Sequence, residues 1–117
     1  MDSTTATLLI KALDGLSARS VATAQNIANA NTPGYRPLRV SFEQVLADAA
    51  QRGAGAVQAV SPQIDSIPAG ARDGELRLDL ELATASATTQ RYGGLIEVLD
   101  RQLRLQALAI TGSSGRN

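Results

Sequence analysis

The chain contains neither cysteine nor histidine. Without cysteine there are no disulfides and no thiolate metal sites, and the fold makes no demand on the redox state of its surroundings. Without histidine the commonest metal ligand and the usual general base are missing. The Ser-His-Asp and Cys-His arrangements go with them. Aromatic residues are only 3% of the 117 residues: Tyr35, Phe42 and Tyr92. The apolar share is 44%, but much of it is alanine, so large core anchors are few. A core built mainly of Ala and Leu is thin, and small domains are already marginal. That composition predicts a chain that gains much of its order from neighbours. The 11 basic and 11 acidic residues cancel, and all the basic residues but Lys11 are arginine. They form no basic cluster, so no nucleic-acid partner is expected. No apolar run approaches the ~18 residues of a membrane-spanning helix. The first residues lack a basic region followed by an apolar stretch, so no cleaved secretory signal is expected.

What is present falls into three parts: residues 1–34, 35–78 and 79–117. The first is predicted to be helical from about Thr4 to Ala30. Ala6, Leu9, Leu13, Leu16, Ser20, Thr23, Ile27 and Ala30 step by threes and fours, the spacing of a coiled-coil seam. Gly15 in mid-helix costs about 1 kcal/mol relative to alanine. The last part is predicted to be helical from about Asp79 to Ile110. Leu78, Leu82, Ala85, Thr89, Tyr92, Ile96, Leu99, Leu103 and Ile110 follow the same step, with Gln106 interrupting. Leu95 and Leu108 widen that stripe. Asp79 and Glu81 near its start, with Arg101 and Arg104 further on, suit the helix dipole. Glu97 and Arg101 are spaced as an i,i+4 ion pair. Gly93-Gly94 predicts a bend or a close helix approach, and Gly112 to Asn117 has the composition of a flexible tail.

The middle is predicted to be irregular. Leu38, Val40 and Phe42 alternate as in a short strand, which Pro37 restricts to an edge. Glu43 to Ala50 suits one or two helical turns. Gln51 to Gly74 is rich in Gly, Ala, Ser and Pro and reads as loop or disorder. Asp73-Gly74 is a turn signal, with Glu75 to Leu78 as a partner strand for Val40 to Phe42. The fold class expected is therefore mainly α: long terminal helices in an elongated coiled-coil-like pair, around an irregular middle with a short β-hairpin.

Between the first helix and the middle lies Asn26-Ile27-Ala28-Asn29-Ala30-Asn31-Thr32-Pro33-Gly34-Tyr35. Asparagine tolerates the left-handed conformation that closes a helix. Pro33 suits the first central position of a turn, and Gly34 supplies positive φ at the second. This string resembles the signature that follows the first helix in the flagellar rod and hook proteins. The resemblance extends from Leu13 to Leu46 and from Asp73 to Ile110, including Leu80-Glu81-Leu82-Ala83 followed by Gln90-Arg91-Tyr92. The short middle and the ending Leu99 to Ile110 look most like a proximal rod subunit.

The resemblance implies a structural protein, not an enzyme, and no cofactor. It implies export from the cytoplasm by the flagellar type III system and ordering on polymerisation. The implied place is the periplasmic rod of the basal body. The implied partners are other rod subunits, the rod-base junction protein and the export gate. Asn26, Ile27, Asn29, Asn31, Thr32, Pro33, Gly34 and Tyr35 form the family turn. Leu9, Leu13, Leu16 and Ile27, with Leu82, Tyr92, Ile96, Leu99, Leu103 and Ile110, are the candidate assembly seam. Another rod-family paralogue, or a cytoplasmic helical-hairpin adaptor that binds a partner helix, is the alternative.

Catalytic candidates are few. Asp79 and Glu81 lie on different faces of a helix. Glu97 and Asp100 could share a face, but a solvated surface explains both. Gly53-Ala54-Gly55 and Gly70 to Gly74 lack the Lys-Ser/Thr of a phosphate loop, and no calcium-loop spacing occurs.

Overall fold

A computed structural model describes residues 2–68 and 77–114. The element order is α1 (Ser3–Ala28), β1 (Leu38–Ser41), α2 (Glu43–Ala50), α3 (Ala54–Gln58), β2 (Gln63–Ser66) and α4 (Leu78–Ser114). Asp2 caps α1, its carboxylate accepting from the Thr5 N–H at 2.7 Å. That satisfies one of the otherwise unpaired amides of the first turn. The two long helices agree with the heptad spacing. α1 has 26 residues and α4 has 37, or about 40 and 55 Å of helix. The molecule is correspondingly elongated, 69 × 27 × 14 Å.

The two helices run antiparallel. Glu81 of α4 meets Asn26 near the end of α1, Thr88 and Tyr92 lie beside Leu16, and Leu95 lies beside Ala12. At this register the start of α1 lies abreast of about residue 104. The last ~10 residues of α4, about 15 Å of helix, project past it.

The middle is more ordered than its composition suggests. β1 and β2 form a two-stranded antiparallel sheet, with Leu38 opposite Ser66 and Ser41 opposite Gln63. The strands bracket α2 and α3 rather than a tight turn. The partner of β1 is thus Gln63–Ser66, not Glu75 to Leu78. Leu78 opens α4, while Gly70, Asp73, Gly74 and Glu75 lie outside the described residues. Likewise the expected loop from Gln51 contains α3 and β2. α3 is capped by Gly53, whose φ of 101° is readily adopted only by glycine. α2 spans Glu43–Ala50 as expected.

This module supplies most of the core. Leu16 and Ala22 of α1 pack with Val40, Phe42, Leu46, Ala49, Val57 and Val60. Ala49 and Val57 are fully buried. β1 shows the alternation of a half-buried strand, with Val40 inward and Arg39 and Ser41 outward. Gly15 has a use that helix propensity alone does not show. A Cβ placed on it would meet the Phe42 ring at 2.5 Å. The missing side chain makes room for the only phenylalanine in the chain.

α4 departs from expectation in three ways. The helix continues through Gly93-Gly94, and added Cβ atoms there would meet nothing within 4 Å. Within the described part of the chain they serve no close helix approach. The i,i+4 ion pair observed among the described residues of α4 joins Asp100 and Arg104 at 2.6 Å, not Glu97 and Arg101. Because α4 runs to Ser114, its last turn carries no basic residue, and Arg101 and Arg104 lie too far back to interact with the dipole. Gly112 belongs to the helix, and residues 115–117 of the expected tail lie outside the described residues.

Candidate functional site

The turn after α1 is built as its residues suggest, with one difference. Thr32 to Tyr35 closes through the Tyr35 N–H donating to the Thr32 carbonyl at 3.2 Å. Pro33 and Gly34 are the central residues, and Gly34 has φ 74°. Among the described residues no other type than glycine has positive φ, so the asparagines do not close the helix in the left-handed conformation. Asn29 closes it with its side chain. Asn29 keeps φ at −105°. Its Nδ2 donates back to the Gln25 carbonyl at 2.9 Å, and its Oδ1 accepts from the Thr32 hydroxyl at 3.1 Å. Asn31, Thr32, Pro33 and Gly34 are exposed, and Ile27 and Tyr35 are half-buried.

Asn26 has a different job. It is 1% exposed and uses its whole side-chain amide. Oδ1 accepts from the Leu38 N–H at 2.9 Å and from the Tyr35 hydroxyl at 2.8 Å. Nδ2 donates to the Leu38 carbonyl at 3.0 Å and to Glu81 at 3.1 Å. The N–H and C=O of one residue fix which way the amide points. Asn26 thereby acts as a false strand partner for the start of β1. The other oxygen of Glu81 accepts from Arg39 at 2.9 Å. Burial is the main reason that the Tyr35 hydroxyl titrates above its ordinary value, with the Glu81 charge second.

A second polar cluster ties α1 to α2. Arg19 donates two bonds to the Glu43 carboxylate, at 2.6 and 2.7 Å, and one to the Val40 carbonyl at 2.8 Å. Its guanidinium stacks over Phe42, 4.9 Å from the ring centre. The hydrogen bond from Arg19 is the main cause that lowers the Glu43 pKa to about 2. Arg91 of α4 approaches Glu43 at 3.8 Å.

The seam residues divide. Leu13 and Leu16 are buried, while Leu9 and Ile27 are half-buried. On α4 the side chains shielded within the chain are Glu81, Ala85, Thr88, Leu95, Leu99 and Gln102. Of the candidate seam residues on α4, only Leu99 lies in that set. Leu82, Tyr92, Ile96, Leu103 and Ile110, together with Leu78, form a separate stripe roughly 70° around the helix. They are 40% to 71% exposed. The threes-and-fours step admits either registration, and polar Glu81 and Thr88 hide the one used inside the chain.

Comparison with known proteins bears on this geometry. The model of the flagella basal body rod protein family matches residues 10–36, most of α1 with the whole Asn26 turn. The chain is similar to the rod family over that segment. No curated protein sequence matches it. The flagellar rod family is structural rather than enzymatic, and its place is the basal body of the flagellum. No helix of the described residues is long and apolar enough to cross a membrane.

The residues that hold the matched segment in place include several that the seam pattern does not mark. Gly15, Arg19, Ala22 and Asn26 step by four, three and four. They form a second stripe beside the leucine seam, and this stripe faces the middle module. The same spacing rule, applied to small and polar residues, finds it.

Proposed function

We propose that the chain is a subunit of the proximal part of the flagellar rod, exported by the flagellar type III system and completed in its packing on polymerisation. The observation that carries this reading is the exposed stripe of α4 in a chain with the rod-family turn. Tyr92, Ile96, Leu103 and Ile110 are 40%, 42%, 52% and 71% exposed. An apolar stripe of this length on a slender molecule favours association, because covering it removes apolar surface from water. Among the described residues no other helix lies beside the projecting end of α4. Neighbouring rod subunits would cover it, and the rod-base junction protein and export gate are the further partners. The absence of cysteine and the thin core suit a chain that passes unfolded through a narrow channel and orders in the periplasmic rod.

Mass spectrometry of purified hook-basal bodies, from cells with and without the gene, tests the reading. Presence of the chain in these particles, with loss of rod and hook in its absence, is the expected result. Complete basal bodies that lack the chain would overturn it. The cytoplasmic adaptor, for which the same stripe would hold a partner helix, would then lead.

A further inference from the structure

We infer that α4 is a releasable arm. Residues 2–68 hold a fold of their own, and α4 leaves α1 as one unit when a polar latch of Asn26, Glu81 and Arg39 opens. The inference does not rest on the rod reading.

The division of burial between the two parts points to it. All eight side chains of the buried apolar cluster lie between Leu16 and Val60, and α4 adds only half-buried Leu95 to its edge. The fully buried positions of α4 are polar, Glu81 at 5% and Thr88 at 4% exposed. Apolar burial stabilises in proportion to area, whereas a hydrogen bond nets little once its partners can return to water. Grooves open to solvent also flank the seat of α4. Clefts of about 470, 210 and 490 Å³ run beside it. The first lies between Leu80, Glu81 and Arg39, the second between Leu16 and Tyr92, and the third between Ala12, Phe42 and Val98. By contrast the joint between α1 and the module is tight enough to require glycine at position 15. Proteins open along such divisions, in cooperative units of unequal stability.

The strongest contact of α4 is at its root, where Glu81 takes bonds from Asn26 and Arg39. The ion pair between Arg91 and Glu43, at 3.8 Å and with both groups largely exposed, adds little. Opening therefore passes through the loss of the Glu81 contacts, after which Asn26 still holds β1 through Leu38.

Native-state hydrogen exchange of the full-length chain, read by mass spectrometry, tests this. Amides of α4 are expected to exchange at least about tenfold faster than those of α1, α2 and β1. E81Q should speed α4 by roughly another tenfold and leave the module unchanged. Exchange of α1 and α4 at one common rate would overturn the inference, as would an equal effect of E81Q on both. Should E81Q fail to fold, spin labels on Gln58→Cys and Gln90→Cys in the otherwise cysteine-free chain decide it. A second, longer distance is expected, and a single narrow distance would refute the arm.

Discussion

The Phe42 ring occupies the place of a side chain on Gly15, with ring carbons 2.5 to 2.6 Å from where a Cβ would stand. Helix propensity favours Gly15→Ala by about 1 kcal/mol, and overpacking opposes it by about 1–3 kcal/mol. The ring lies in the core and is held by Arg19, so it cannot swing aside. Gly15→Ala is expected to lower stability in urea unfolding. Phe42→Leu combined with it should lose less than the two single changes added together. Strict additivity would show that the two residues do not meet.

Asn26→Leu keeps the approximate size of the side chain and removes four hydrogen bonds. It strands the N–H of Leu38 and leaves both the Leu38 carbonyl and Glu81 with Arg39 alone. The expected loss is about 1–3 kcal/mol, the cost of leaving a buried group unpaired. Thermal unfolding measures it. A change below about 1 kcal/mol would mean that water replaces the amide without difficulty.

Gly34 has φ 74° and open space around its missing Cβ. Its substitution cost is therefore conformational rather than steric. Gly34→Val should cost about 1–2 kcal/mol and Gly34→Asn clearly less, because asparagine tolerates this backbone region. Equal losses for both would place the cause elsewhere than in φ.

Glu43 should make stability fall in acid. Its folded pKa of about 2 lies below the unfolded value of 4.5, so the folded state binds its proton less readily. The contribution is complete above pH 4.5 and is lost as pH falls toward 2. Because the Glu43 side chain is half exposed, solvent screening reduces the gain to about 1 kcal/mol. Glu43→Gln should flatten this part of the stability curve. Tyr35 acts at the other end: its raised pKa predicts stability that declines as pH rises above 10, and Tyr35→Phe should remove that arm.

Leu103→Asp and Ile110→Asp separate folding from assembly. Both side chains are exposed, at 52% and 71%, so stability should change by less than about 0.5 kcal/mol. Incorporation into basal bodies should be lost, because a charge would be buried without a partner. Normal incorporation of both variants would show that this face stays free.

The two long helices are legible in the sequence to within a few residues, because heptad spacing survives even where Ser20 and Thr23 weaken it. The turn is legible because Pro33 and Gly34 fix a backbone path locally. The middle is harder to read. Val57 and Val60 are isolated among Gly, Ala and Gln, and nothing nearby marks them as core; only the fold brings them to Phe42. Gly93-Gly94 suggests a bend or a close helix approach, yet the helix runs through it and, among the described residues, no neighbouring group of the chain lies against it. Asn26 reads as one more turn residue until its distant partners Leu38 and Glu81 are known. Those partners lie 12 and 55 residues away, beyond the reach of local pattern.

The pairing of β1 with β2 also bears on how such a chain can vary. The Ile67 N–H donates to the Pro37 carbonyl at 2.9 Å, so the chain leaves the middle beside the point where it entered. Extra residues at the exposed corner of Gln51 and Arg52 would add loop-closure entropy that grows only slowly with length. They would displace neither α1 nor α4. The width of the molecule and the geometry of its helices are separate inheritances: one can be enlarged while the other stays as it is.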